Sequence, residues 1–168
     1  MELYLIRHAD AIDADVGLTD EERPLSDEGR EKMRKGAKGL RKLLSGSFPP
    51  LDGILTSPLL RSVETAQIIA LEVNDNQDVT ECPPLAKESL WADILPFLAK
   101  FPKSARVALI GHEPELGKLA GWLISRSPET AIPMKKGSAF CFDIDEAVPE
   151  PKAELVWFLT PKMLRQLR

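Results

Sequence analysis

The chain has 168 residues, of which 43% are hydrophobic and 29% are charged, a balance typical of a folded domain. We therefore predict a single domain over residues 1–168. Its formal net charge of −4 argues against duplex nucleic acid as a partner, because that partner needs a basic face. No apolar run approaches the roughly 20 residues of a membrane-spanning helix, and the N-terminus lacks signal-peptide features. Cys82 and Cys141 are far apart, which favours reduced thiols and a cytoplasmic location.

The first half of the chain alternates between apolar runs and amphipathic segments. The pattern predicts a strand at 2–7, a polar loop at 9–25, a helix at 27–45 and a strand at 52–56. Ser26 is expected to cap the first helix. Pro58 is expected in the first turn of a second helix, because it lacks the N–H that would be unpaired there.

The second half continues this alternation and ends differently. The pattern predicts a small strand around Val79, a helix carrying Leu90, Ile94, Leu95 and Leu98, a strand at 105–110, a helix starting at Pro114, a loop at 125–137, and strands at 139–144 and 154–160. The short tail 162–168 is expected to be frayed. This order predicts a three-layer α/β/α sandwich whose mostly parallel central sheet gains a late antiparallel strand pair.

Basic side chains follow three of the predicted strands. Arg7 and His8 come after the first strand, Arg61 comes shortly after the second, and His112 follows the run 106–111. Ligands of open α/β sheets bind beyond the carboxyl ends of the strands, so we expect these four side chains to meet. Several cations held close together repel one another, which indicates that an anion binds among them.

A phosphoryl group suits this set of side chains. Arginine offers a planar fork of donors that matches phosphate oxygens. Imidazole can attack phosphorus and divide the transfer into two steps, while fixed cations stabilise the charge of the transition state. The predicted helix at Pro114 adds backbone N–H groups and a favourable dipole.

Other kinds of site fit the sequence poorly. Two histidines beside arginines make a weak metal site, because the arginines repel a cation. The sequence has neither a Gly-x-x-x-x-Gly-Lys-Ser/Thr loop nor a Gly-x-Ser-x-Gly turn, which argues against a nucleoside triphosphatase and an α/β-hydrolase. We therefore expect no metal and no cofactor.

Three segments in order carry a resemblance to a known family. Arg7-His8, the stretch Ser57-Pro58-Leu59-Leu60-Arg61-Ser62-Val63-Glu64-Thr65-Ala66, and Gly111-His112 resemble the signature segments of the histidine phosphatase superfamily, with its phosphoglycerate mutase-like fold. The resemblance covers nearly the whole chain, including Pro24-Leu25-Ser26-Asp27-Glu28-Gly29. Within the superfamily the chain is most similar to the short SixA-type phosphohistidine phosphatases.

The resemblance implies roles for the four basic residues. His8 would be the nucleophile that carries the phosphoryl group as a covalent intermediate. Arg7, Arg61 and His112 would bind that group and stabilise its charge. The implied activity is hydrolysis of phosphohistidine on a protein such as a phosphotransfer domain.

The chain departs from the mutase pattern at several positions. Ala9 stands where many members have Gly, and Asp13 and Ala14 occupy the region where mutases carry an Asn. Glu88 lies near the place of the mutase general acid, but its neighbours differ, so a helix-start carboxylate is the preferred interpretation. Asp10 and Glu113 adjoin the site in sequence and are left unassigned.

The lack of a matched general acid favours one substrate class. An alcohol leaving group usually needs a proton as its bond breaks, whereas the imidazole of a phosphoramidate is protonated more readily. The leading hypothesis is therefore a protein phosphohistidine phosphatase. Two alternatives stay open: a small-molecule phosphomonoesterase of the same fold, and a phosphoprotein-binding module with little turnover.

Overall fold

A six-stranded sheet forms the centre of the computed structural model, which describes residues 1–13, 17–45, 50–86 and 90–167. The strands are β1 (Glu2–Arg7), β2 (Gly53–Thr56), β3 (Thr80–Glu81), β4 (Arg106–Gly111), β5 (Ala139–Ile144) and β6 (Ala153–Leu159). Their order across the sheet is β3-β2-β4-β1-β5-β6. Strands β3, β2, β4 and β1 are parallel to one another, whereas β5 is antiparallel to both β1 and β6. The predicted mixed sheet with its late antiparallel pair is confirmed.

Helices cover both faces of this sheet. They are α1 (Asp27–Leu43), α2 (Leu60–Asn74), α3 (Trp91–Leu98), α4 (Glu115–Ser125) and α5 (Pro161–Gln166), with a short 3-10 helix at Pro83–Leu85. Successive side chains of β1 point to opposite faces, so Tyr4 and Ile6 join the core beneath α1, α2 and α5. Leu3 and Leu5 join the core beneath α3 and α4. The three-layer prediction is therefore correct.

The start of α1 follows the sequence prediction, and the start of α2 does not. Ser26 is the N-cap of α1, and its hydroxyl accepts a hydrogen bond from the Gly29 N–H. A side chain at Gly29 would collide with the Asp10 carbonyl, 2.1 Å from the ideal Cβ position, so glycine permits this close approach. Helix α2 begins at Leu60, so the prediction that Pro58 lies in its first turn is wrong by about one half-turn.

The prediction of a frayed C-terminal tail is also wrong. Residues Pro161–Gln166 form α5, which is capped by Thr160 and starts with proline at its first position. Leu164 is buried in the core beside α1. Gly39 of α1 allows this packing, since a Cβ there would lie 1.9 Å from the Leu164 carbonyl oxygen. A six-residue helix depends on such tertiary contacts, because short helices are unstable alone.

Two further findings concern membrane-spanning helices and the two cysteines. Within the described part of the chain, no helix combines the length and apolar character needed to cross a membrane. Cys82 and Cys141 are both buried free thiols, as expected from their separation in sequence.

Candidate active site

The carboxyl ends of three neighbouring parallel strands place the basic residues together. Arg7 ends β1 opposite Gly111 at the end of β4. The next residue, His8, donates its backbone N–H to the Gly111 carbonyl at 3.0 Å. On the other side of β4, the Ser57 N–H donates to the Ile110 carbonyl at 2.9 Å. The chain turns that follow β1, β2 and β4 therefore emerge side by side.

These turns enclose a small polar cavity, which we call the active-site cavity. Its volume is about 330 Å³. It is lined by Arg7, His8, Asp20, Arg23, Arg61, His112, Glu113, Pro114, Glu115 and Lys136. The ring centroids of His8 and His112 are 4.9 Å apart. All four basic residues singled out from the sequence thus line one cavity.

His8 is held as a neutral imidazole with a defined tautomer. Its side chain is 6% exposed, and its Nδ1 lies 2.7 Å from the Ala9 carbonyl oxygen. A carbonyl oxygen only accepts, so Nδ1 carries the proton and Nε2 keeps its lone pair. The pKa of His8 is lowered to about 4, mainly by burial and also by the positive charges of Arg61, Arg7 and Lys136, while the hydrogen bond to Ala9 opposes this shift.

His112 is positioned by two hydroxyl groups that the sequence analysis missed. Its Nε2 lies 2.8 Å from Ser57 Oγ and 3.2 Å from Ser62 Oγ. Both serines are fully buried. Ser57 lies in the turn between β2 and α2, and Ser62 follows Arg61 in the first turn of α2, so the segment that supplies the arginine also orients the second histidine.

Arg61 is buried and ion-paired at the edge of the cavity. Its side chain is 6% exposed. One guanidinium nitrogen donates to the Asp20 carbonyl at 2.5 Å, and the other donates to the Asp20 carboxylate at 3.0 Å. Asp20 lies in the loop between β1 and α1, where the sequence showed only a polar segment. Sequence reasoning missed this pair because nothing in the pattern fixes the path of that loop.

Thr65 links the base of the arginine to the turn after His8. Its hydroxyl donates to the Arg61 carbonyl at 2.7 Å and accepts from the Ala9 N–H at 3.1 Å. The polypeptide segments that carry His8 and Arg61 are therefore joined by one buried side chain, which fixes the two segments relative to each other.

Arg7 reaches the cavity from the other side. One of its terminal nitrogens donates to the Met134 carbonyl at 2.5 Å. Its Nε is buried and has no hydrogen-bond acceptor among the described residues. The guanidinium is thus anchored at one end, and Arg7 lines the active-site cavity together with His8 and Lys136.

The carboxylates near the site differ in placement. Glu113 lines the cavity, accepts from the Met134 N–H at 3.3 Å, and has its pKa raised by burial. Asp10 lies in a neighbouring cavity, with its carboxylate 3.5 Å from Lys136 Nζ. Glu88, the candidate acid from the sequence, and Ala14 lie outside the described residues.

The donor set suits an anion better than a cation. Among the described residues, no group of three or more His, Cys, Asp or Glu side chains is arranged to hold a metal ion. Arg7, Arg23, Arg61 and Lys136 add positive charge around the two imidazoles. Such a cavity can bind a phosphoryl group and present it to His8.

Comparison with known proteins identifies the family. Residues 3–88 match the model of the histidine phosphatase superfamily, branch 1. The chain belongs to this superfamily. It is also 36% identical over 123 residues to an uncharacterized protein of Picosynechococcus sp., an alignment that spans 71% of each chain. The sequence resemblance drawn from the three ordered segments is confirmed.

Solved structures of other superfamily members share the fold. The protein histidine phosphatase SixA complexed with tungstate superposes with a TM-score of 0.80 at 22% identity, covering 96% of this chain and 98% of SixA. A mycobacterial glucosyl-3-phosphoglycerate phosphatase complexed with VO3 gives a TM-score of 0.71 at 17% identity, with coverages of 95% and 99%. Phosphoserine phosphatase of Entamoeba histolytica gives a TM-score of 0.72 at 15% identity, covering 97% of this chain and 98% of that protein. At these identities the likeness establishes the phosphoglycerate mutase-like fold.

Proposed function

We propose that this superfamily member is a protein phosphohistidine phosphatase that uses His8 as its nucleophile. The observation that carries the proposal is the state of His8. Its Nδ1 donates to the Ala9 carbonyl at 2.7 Å, and its pKa is lowered to about 4 by burial. A neutral imidazole with a free Nε2 lone pair beside two arginines is ready to attack an electrophilic phosphorus.

The proposed reaction has two displacements. In the first, His8 Nε2 forms a bond to phosphorus as the bond from phosphorus to the substrate nitrogen breaks, and the electron pair leaves with the substrate imidazole. In the second, a water oxygen attacks phosphorus, the bond to His8 breaks, and phosphate is released with the proton from water going to solvent or phosphate. His8 is regenerated without any metal or cofactor.

The surrounding cations stabilise both transition states. Arg7 and Arg61 line the same cavity as His8, and the ring centroid of His112 lies 4.9 Å from that of His8. These donors are held by backbone carbonyls and buried hydroxyls before substrate arrives, so little reorganisation is needed as charge develops on the phosphoryl oxygens. The same groups serve the formation and the hydrolysis of the intermediate.

The phosphohistidine substrate is supported by leaving-group chemistry. When its second ring nitrogen is protonated, the substrate imidazole leaves as a neutral molecule, so a dedicated proton donor contributes little. A phosphohistidine-containing protein, such as a phosphotransfer domain, is the proposed partner. The fold shared with SixA at a TM-score of 0.80 supports this choice over other phosphorylated proteins.

A comparison of two substrates tests the proposed specificity. Turnover of a histidine-phosphorylated phosphotransfer domain is measured beside turnover of a phosphoserine peptide at the same concentrations. We expect kcat/KM to be larger for the phosphohistidine protein by at least about 100-fold, the usual contribution of the general acid that a phosphoester requires. Equal values would contradict the phosphohistidine assignment.

One observation favours a second candidate, a small-molecule phosphomonoesterase. Glu113 lines the active-site cavity, and burial raises the pKa of its carboxyl group, as a proton donor requires. Under this alternative, Glu113→Gln removes phosphomonoester hydrolysis and spares phosphohistidine hydrolysis. The Glu113 carboxylate accepts hydrogen bonds from the backbone N–H groups of Met134 and Gly117. These contacts instead support a role in shaping the turn after His112, which is the role we adopt.

A further inference from the structure

A second cavity adjoins the active-site cavity and is lined by basic side chains. Its volume is about 430 Å³. Helix α1, the segment before β5 and helix α5 form its walls, and Arg7 and Lys136 line both cavities. Its charged residues are Arg7, Asp10, Lys32, Lys135, Lys136 and Arg165. We call this feature the basic cavity.

The net charge of the basic cavity is opposite in sign to that of the whole chain. Five basic side chains and one carboxylate line it, whereas the chain has a net charge of −4. The Asp10 carboxylate lies 3.5 Å from Lys136 Nζ and 3.9 Å from Lys32 Nζ, and Glu28 pairs with Lys32 at 2.8 Å, so these carboxylates offset part of the positive charge and leave Arg7, Lys135 and Arg165. The cavity therefore attracts anions to a place directly beside the phosphoryl site.

The construction of the basic cavity indicates what kind of anion it takes. Its uncharged lining includes Gly29, Gly36, Gly137 and Met33. Lys135 is exposed and Lys32 is partly exposed. Solvent-accessible lysines are typical of contacts with another charged protein surface, where they steer association and set specificity.

We propose that the basic cavity binds acidic side chains that flank the phosphohistidine on the substrate protein. This inference rests on the proposed phosphatase function and adds the recognition of the substrate to it. The phosphoryl group enters the active-site cavity, and Asp or Glu side chains of the same partner contact Lys32, Lys135 and Arg165. Arg7 and Lys136 join the two subsites.

The test measures binding separately from turnover. In a His8→Ala background, the Lys32→Gln/Lys135→Gln/Arg165→Gln triple variant is titrated with a histidine-phosphorylated phosphotransfer domain whose phosphorylated face carries exposed acidic residues. We expect Kd to rise about tenfold, which corresponds to about 1.4 kcal/mol, since three exposed charge contacts of modest strength are lost together. Neutralising the flanking acids of the domain should remove this difference, and added salt should weaken binding by the parent more than by the triple variant.

A matched control removes the same charge elsewhere on α1. Lys35, Lys38 and Lys42 are exposed and line neither cavity. The Lys35→Gln/Lys38→Gln/Lys42→Gln variant should bind with a Kd within about twofold of the parent, because exposed charges that make no direct contact with the partner contribute little.

Three results would overturn the inference. One is an equal Kd for the two triple variants. Another is a difference in Kd between the parent and the basic-cavity variant that persists after the acidic residues of the partner are neutralised. The third concerns the Lys32→Gln/Lys135→Gln/Arg165→Gln variant with His8 retained. If its turnover of p-nitrophenyl phosphate, which has no flanking acids, falls as much as its affinity for the phosphoprotein, these residues would belong to the phosphoryl site. Failure of the proposed function is seen separately, as absent turnover by the wild-type chain whatever the Kd values.

Discussion

Asp20 holds Arg61 through two hydrogen bonds, one from each terminal guanidinium nitrogen. The backbone carbonyl of Asp20 accepts at 2.5 Å and its carboxylate accepts at 3.0 Å. The Asp20 side chain is partly exposed and lines the active-site cavity. The carboxylate therefore occupies donors of Arg61 that a phosphoryl group would also use, while the backbone carbonyl keeps the guanidinium oriented.

Replacing Asp20 with Asn should tighten phosphate binding. The substitution keeps the backbone hydrogen bond and an amide oxygen, and it removes one negative charge from the cavity. We expect the inhibition constant of inorganic phosphate to fall about three- to tenfold, corresponding to roughly 1 kcal/mol for one partly exposed charge. A weaker inhibition by phosphate would show that the carboxylate serves mainly to orient Arg61.

Replacing Arg61 with Ala should slow catalysis without unfolding the chain. One oriented donor to developing charge contributes about 10²–10³ in kcat. Arg61→Lys should recover only part of this loss, because an ammonium lacks the planar fork of donors. Arg41→Ala is the matched control, since Arg41 forms an exposed ion pair with Asp75 far from the cavity. Equal rates for the Arg61 and Arg41 variants, with intact circular dichroism, would remove Arg61 from the mechanism.

The lowered pKa of His8 predicts how stability depends on pH. The ordinary pKa of 6.5 falls to about 4 in the folded chain, so the unfolded chain binds a proton more readily between these values. The free energy of unfolding is therefore unaffected by His8 above pH 6.5 and decreases as the pH falls toward 4, by about 3 kcal/mol in total.

Urea unfolding of the wild type and His8→Asn at several pH values measures this term. The experiment uses a phosphate-free buffer, since phosphate bound to the folded state would add its own stabilisation. The wild type should lose stability more steeply than His8→Asn between pH 6.5 and 4. Parallel curves for the two proteins would show that His8 titrates normally in the folded state.

Glu88, the candidate general acid from the sequence, should matter little for phosphohistidine hydrolysis. We expect Glu88→Gln to change kcat/KM for a phosphohistidine protein by less than about twofold, since the imidazole leaving group needs no dedicated acid. The measurement is repeated with a phosphoserine peptide. If the peptide is hydrolysed as fast as the phosphoprotein and Glu88→Gln removes only that activity, a proton donor exists and the phosphoramidate preference is wrong.

The sequence was sufficient to bring the four basic side chains together. His8 directly follows β1 and His112 directly follows β4 beside it, because apolar runs marked both strands and parallel strands present their carboxyl ends at one edge. Arg61 follows β2 on the other side of β4. Strand pattern and a general rule of sheet topology therefore located the site.

The supporting contacts were not predictable by the same means. Asp20 reaches Arg61 from a loop whose path depends on tertiary contacts such as the Ala11–Leu25 bridge. Helix α5 is too short for hydrophobic periodicity to reveal, and it forms because Leu164 packs against α1. Such features arise from packing between distant segments, which no local pattern encodes.

Trapping of the phosphorylated protein tests the central claim most directly. The chain is mixed with a histidine-phosphorylated phosphotransfer domain carrying ³²P, quenched rapidly in alkali and analysed for acid-labile phosphate and its position. We predict that the label appears on His8, that His8→Ala carries none and shows no turnover, and that His8→Ala remains folded. Full turnover by His8→Ala, or label on another residue in a turning-over wild type, would contradict the account.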